Sequence, residues 1–151
     1  MTKQKKSALM KAADLLAYRE HSEAELKRKL LARRYEADEV DATLDKLKQH
    51  HYLDDEELCR QQFENFWADG RLSVRQIVAK LIQRGFDKDF IDGLVPADSD
   101  EHELHAATLA LTKKFTSRDD KNFRAKAWQF LSGRGFDGDI ISTAIENFSG
   151  G

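Results

Sequence analysis

A chain of 151 residues, 40% hydrophobic and 34% charged, can bury one ordinary core's worth of apolar surface, and Lys+Arg 25 against Asp+Glu 27 leaves a net charge of −2. That balance produces no global field of the kind that draws a protein onto nucleic acid. The single cysteine, Cys59, excludes an internal disulfide framework and a multi-thiolate zinc site.

The N-terminus holds Lys3, Lys5 and Lys6 but no apolar signal-peptide core after them, and no stretch approaches the roughly 20 apolar residues of a membrane span. The expectation is a cytoplasmic protein with no membrane contact. Leu9, Ala12, Ala13, Leu15 and Leu16 recur at helical spacing and predict a first helix over about residues 8–19. Ser22 with Glu25 forms a capping box, ahead of a second helix lined by Leu26, Leu30 and Leu31. Val40, Leu44 and Leu47 predict a third, ending near His50.

The plan then repeats. Asp54 and Glu57 cap a helix carrying Leu58, Cys59, Phe63, Phe66 and Trp67, and Ser73 with Gln76 forms a second capping box before Ile77, Leu81 and Ile82. Gly85 supplies a left-handed terminator, and Asp87 caps a short helix with Phe90, Ile91 and Leu94. Pro96, the only proline, marks a hinge. Leu104, Ala107, Leu109, Leu111 and Phe115 open a third round, Phe123 to Leu131 continue it, and Asp137 caps a last helix bearing Ile140, Ile141, Ala144, Ile145 and Phe148.

Residue-for-residue similarity accompanies this recurrence. Ser22, Leu26, Leu30, Arg33, Tyr35, Asp38 and Val40 reappear 51 positions on as Ser73, Ile77, Leu81, Arg84, Phe86, Asp89 and Ile91. A further 50 positions on, Ala127, Leu131, Arg134, Gly135, Phe136, Asp139 and Ile141 match Ile77, Leu81, Arg84, Gly85, Phe86, Asp89 and Ile91. A fixed period of this length signals stacked supersecondary units that share apolar faces and display an extended surface. The predicted fold is all-α, with three tandem three-helix repeats over residues 8–50, 54–95 and 99–148 in an elongated, curved array, and flexible tails at 1–7 and 149–151.

Tyr35, Phe86 and Phe136 fall where each chain turns back onto its unit, so they should plug the three cores. Asp38, Asp89 and Asp139 should favour the positive ends of the third helices. His102 and His105 lack a third ligand at metal-binding spacing and read as a solvated helix face. No nucleophile elbow, Cys/His pair or phosphate loop is present. The expectation is no catalytic site, metal or cofactor.

The cations are distributed unevenly. Residues 1–50 contain 12 Lys/Arg and 9 Asp/Glu, residues 51–100 contain 6 and 11, and the remainder 7 and 7. Lys27, Arg28, Lys29, Arg33 and Arg34 crowd the second helix of the first unit; Arg75, Lys80 and Arg84 recur on its counterpart, and Lys121, Arg124 and Lys126 accompany the third. Units stacked alike would align these charges as a stripe suited to phosphates or an acidic protein surface.

The string His51-Tyr52-Leu53-Asp54-Asp55, the Phe63/Phe66/Trp67 helix, Arg84-Gly85-Phe86 and the opening Ala17-Tyr18-Arg19-Glu20-His21-Ser22 together resemble the RecX family of bacterial regulators of the recombinase RecA. His51 and Ser73 depart from the small residues expected there, often glycine. The resemblance spans about Leu9 to Phe148 and implies a non-enzymatic modulator that lies along the RecA filament on single-stranded DNA; a monomer is the expected state. Filament growth, ATP hydrolysis, strand exchange and LexA cleavage would fall as a result. The recurring cations Arg28, Lys29, Arg33, Arg34, Arg75, Lys80, Arg84, Lys121, Arg124 and Lys126 are the residues expected to contact that partner, with a weak non-specific contact to DNA beside it. Within the string, Leu53 is expected to pack between units and Asp54 to cap the next helix. The alternative is a helix-turn-helix-like DNA-binding module acting independently of RecA.

Overall fold

The computed structural model describes residues 5–148; the outer parts of both expected tails, residues 1–4 and 149–151, lie outside them. Among the described residues there are nine α-helices and no strand: α1 Ala8–Tyr18, α2 Glu23–Ala32, α3 Ala37–Gln49, α4 Asp55–Asp69, α5 Val74–Gln83, α6 Lys88–Leu94, α7 Asp100–Lys114, α8 Phe123–Gly133 and α9 Gly138–Asn147. None is long and apolar enough to cross a membrane.

Local sequence chemistry sets most helix starts. Ser22 and Ser73 close reciprocal capping boxes with Glu25 and Gln76, while Asp54 and Asp87 accept from the amides of Glu57 and Phe90. Asp137 departs from its expected role, making no cap bond of its own; its carboxylate instead meets the Arg75 guanidinium of the preceding unit at 3.5 Å.

The helices pack as triplets, and the closely packed pairs all fall within α1–α3, α4–α6 or α7–α9. Each triplet buries its own core. Ala12, Leu26, Leu30, Tyr35, Val40 and Leu44 fill the first, Cys59, Phe63, Ile77, Leu81, Phe86 and Ile91 the second, and Leu111, Phe123, Leu131, Phe136, Ile141 and Ile145 the third. The aromatic plugs therefore sit where the turn geometry requires. Leu53 is buried with the first cluster and also lines the cleft where Leu16 and His21 face Leu58 and Gln61 of α4, at the boundary of the first two units.

A few directional bonds join the triplets. The Ser22 hydroxyl accepts from its own helix at Glu25 N (3.1 Å) and donates its proton to the Arg84 carbonyl (2.8 Å) at the end of α5. Ser73 does the same one unit on, accepting from Gln76 N (3.1 Å) and donating to the Arg134 carbonyl (2.6 Å) at the end of α8. Thus the C-terminus of α8 meets the N-terminus of α5, and the C-terminus of α5 meets the N-terminus of α2. Their macrodipoles run head to tail, and orphan carbonyls gain buried donors.

The corners after α5 and α8 require glycine for two reasons. Gly85 and Gly135 have φ of +95° and +88°, and a Cβ there would lie 2.4 Å from Ala24 Cβ and 2.8 Å from Arg75 Cβ respectively. The outer ends differ. Arg34 takes the left-handed corner of α2 (φ 67°), where no preceding unit crowds it, and Lys5 Nζ donates to the Arg33 carbonyl at 2.6 Å, in place of a serine. At the far end Phe123 occupies the serine register, and α8 has no side-chain cap.

Carboxylates complete each joint. Asp55 accepts from the Glu23 amide (2.8 Å), and Glu103 from the Val74 amide (2.7 Å). Burial pushes both carboxyls above their ordinary values, against the lowering from the amide bond. A raised acid pKa means that the folded state holds the proton more tightly, so stability is lost as pH rises from the unfolded toward the folded value. Glu103→Gln keeps an acceptor without a charge; its melting temperature relative to wild type should therefore climb across that window and level off above it. A difference that stays flat with pH would show that the ionised Glu103 carries no burial cost.

Candidate partner-binding face

The second helix of each triplet carries the predicted cations, and the joints set their register. On α2 and α5 the positions 29/33 and 80/84 are equivalent, so Lys29 and Arg33 form one i, i+4 pair and Lys80 and Arg84 the next; Lys126 and Arg134 flank Phe130 on the same row of α8. Arg28 and Arg75 lie one residue step before that row, Arg34 lies one step beyond it past the end of α2, and Arg124 lies two steps from it on α8. Lys121 precedes α8 by two residues. All are exposed except Lys29, which is half-buried.

Several cations are held in place. Arg84 lies over the Phe66 ring (5.0 Å to the centroid) while donating to the Gln62 side chain at 2.6 Å, and Arg134 lies over Phe130 at 4.6 Å. At the free corner of α2, Lys5 Nζ sits 4.0 Å above the Tyr35 ring. Each corner therefore carries a cation resting on an aromatic face, which limits side-chain freedom and leaves the outward N–H groups to bind. Lys126 pairs with Asp120 at 2.7 Å and Arg75 reaches Asp137, so these two are partly neutralised.

Lys29 has an unexpected partner. Its Nζ is 2.7 Å from His21 Nε2, while His21 Nδ1 is 2.8 Å from the Arg19 carbonyl. The carbonyl requires the proton on Nδ1, leaving Nε2 to accept from the ammonium, so His21 is neutral. Burial, with Lys29 and Arg19 adding to it, lowers the His21 pKa. A depressed histidine supports the fold above its unfolded pKa, and that contribution is lost as pH falls.

The expectation of a solvated face for His102 and His105 holds for only one of them. His102 is no solvated residue: it stacks on Trp67 with ring centroids 3.9 Å apart, and its Nε2–H donates to the Leu72 carbonyl at 2.9 Å, tying α7 to the second unit. His105 is exposed as expected and lies beside Gly70, where an added Cβ would come within 3.2 Å of its ring. Cys59 is fully buried and its thiol is pushed up to about 11, so it is unsuited to nucleophilic chemistry.

Three-helix units joined end to end through their second helices, with cations in matching register, define a helical-repeat protein built to present an extended surface. Models of the first and third three-helix domains of RecX match residues 8–47 and 100–145. Regulatory protein RecX of Chromobacterium violaceum is 32% identical over 146 residues, covering 96% of this chain and 93% of that one. Its counterpart in Thermus thermophilus is 36% identical over 129 residues, covering 85% and 83%. The crystal structure of RecX from Lactobacillus salivarius shares the fold at 20% identity, with a TM-score of 0.75 and 92% of each chain covered. The chain belongs to the RecX family of regulatory proteins.

Proposed function

We propose that this chain binds the RecA filament on single-stranded DNA and lowers RecA activity by binding rather than by catalysis. The observation that carries this reading is the matched register of Lys29/Arg33 and Lys80/Arg84 on end-to-end helices, which offers the same cationic element at successive steps. A filament offers successive copies of one protomer surface, so a ligand with repeating contacts gains by engaging neighbours together. Acidic segments and a net charge of −2 favour a protein surface over bare DNA. Direct contact with DNA is then weak, non-specific and strongly salt-dependent. Reduced filament extension, ATP hydrolysis, strand exchange and LexA cleavage follow from loss or blockage of filament, and the protein acts as a cytoplasmic monomer.

The test is RecA-driven ATP hydrolysis on single-stranded DNA with this protein below one copy per protomer. Suppression at low ratio is expected. Unchanged hydrolysis at every ratio, together with base-dependent affinity of the isolated protein for duplex DNA, would instead establish an independent DNA-binding module.

A further inference from the structure

Leu31 and Ile82 follow apolar residues in the helical pattern and read as part of the helix lining, yet the structure exposes each to 41%, at equivalent positions one repeat apart. Trp128, on α8, is exposed to 40%. Following the rows along the helices joins these residues. Trp128 leads one turn on to Ser132 and then to Gly135, which abuts Arg75; Arg75 leads by helical steps to Ile82 and then to Gly85, which abuts Ala24; Ala24 leads to Arg28, Leu31 and Arg34. The crossings at Gly135 and Gly85 are direct contacts, so one unbroken seam passes over all three units. It alternates large apolar side chains (Trp128, Ile82, Leu31) with guanidinium groups (Arg75, Arg28, Arg34).

We infer that this seam is the docking surface for a protein, occupied by acidic, apolar-tipped elements on neighbouring RecA protomers. The inference rests on the proposed function and adds to it the contact residues and the chemistry of the opposite surface. A phosphate backbone would use the guanidinium groups but leave one large apolar residue per unit without a partner. A protein surface uses both, because interface anchors are aromatic or aliphatic groups set among arginines. The guanidinium groups call for carboxylates opposite. One apolar group per unit, in equivalent register at Leu31 and Ile82 and one turn earlier at Trp128, calls for a partner that also repeats. Glycine and alanine keep the crossings themselves low, so that between one anchor and the next only the arginine side chains project.

The experiment compares wild type, each of Leu31→Ser, Ile82→Ser and Trp128→Ala, and the triple variant, in co-sedimentation with RecA assembled on single-stranded DNA and in binding to the same DNA without RecA. Circular dichroism and melting checks that the half-exposed substitutions leave the fold intact. Each single change should weaken filament binding by about 5- to 10-fold, and the triple by more than about 100-fold, because linked contacts are lost together. Affinity for DNA alone should stay within about 2-fold, since no charge is removed. A folded triple variant that binds the filament as wild type does would overturn the seam while leaving the function standing. Equal loss on filament and bare DNA would identify nucleic acid as the occupant and also overturn it. Wild type that fails to sediment with RecA at all would remove both readings.

Discussion

Arg28, Arg33, Lys80 and Arg84 changed together to glutamate should abolish suppression of RecA-driven ATP hydrolysis, with filament affinity falling by at least about 100-fold at low salt. All four side chains are exposed, and their removal opens no core. Lys29 is deliberately absent from the set, because it satisfies the buried His21 ring and its loss would confound binding with folding. The variant's residual binding should also be nearly independent of ionic strength, since counterion release scales with the number of cations engaged. If suppression and its salt dependence both persist in the folded variant, the cationic rows are solvated surface and the contact lies elsewhere. Intermediate effects from the α2 pair and the α5 pair separately would show that both units engage.

A large loss of stability should come from Gly85→Ala, at the joint between the first two units. Two penalties coincide there: a left-handed φ of +95°, which costs an alanine about 1 kcal/mol, and a Cβ placed 2.4 Å from Ala24 Cβ. The clash cannot be relieved by rotating a flexible side chain, because Ala24 has none. Separation of α5 from α2 would strand the Ser22 hydroxyl and the Arg84 carbonyl. A loss of about 2–4 kcal/mol is expected, seen as a melting temperature lower by roughly 5–15 °C for a chain of this length. Gly93→Ala is the control, because no atom lies within 4 Å of a Cβ there and its φ is not left-handed. Equal melting of the two variants would show that the joint does not couple the units. Unfolding of the Gly85 variant in two steps would show that the units separate before each melts.

The sequence made the helices, the capping boxes and the three-fold recurrence readable because each depends on residues within a turn or two of one another. Ser22 illustrates the boundary. Its acceptor role toward Glu25 is written into a three-residue spacing, whereas its donor role reaches Arg84, 62 positions away, and no local pattern reveals it. Gly85 was legible as a helix terminator, but its second role, admitting Ala24, appears only once the units are joined. Asp137 fails as a cap for the same reason: the Arg75 guanidinium competes across the joint. Leu30 and Leu31 are both apolar and lie 100° apart around the helix, so only the structure decides that Leu30 is buried and Leu31 faces out. Asp55 and Glu103 are first-turn acids of α4 and α7 that do not occupy the same register in the repeat, so their shared task of holding the first amide of the preceding unit's second helix leaves no repeated signal.

The repeat also explains why cations matched in sequence become a surface. Without the joints, Lys29/Arg33 and Lys80/Arg84 would belong to separate helices with no fixed relation. With the C-terminus of α5 seated on the N-terminus of α2, the two pairs follow one another along a single course. The proposed activity therefore depends on the joint as much as on the charges. A variant that loosens the joint should weaken filament binding even with every cation in place.

The most direct test of that account is the affinity of the wild-type chain for RecA filaments on single-stranded DNA, measured by fluorescence anisotropy against the same DNA alone and against RecA without DNA. Binding to the filament should be at least about 100-fold tighter than to either component, through contacts repeated on successive protomers. Affinity for bare DNA equal to that for the filament would contradict it.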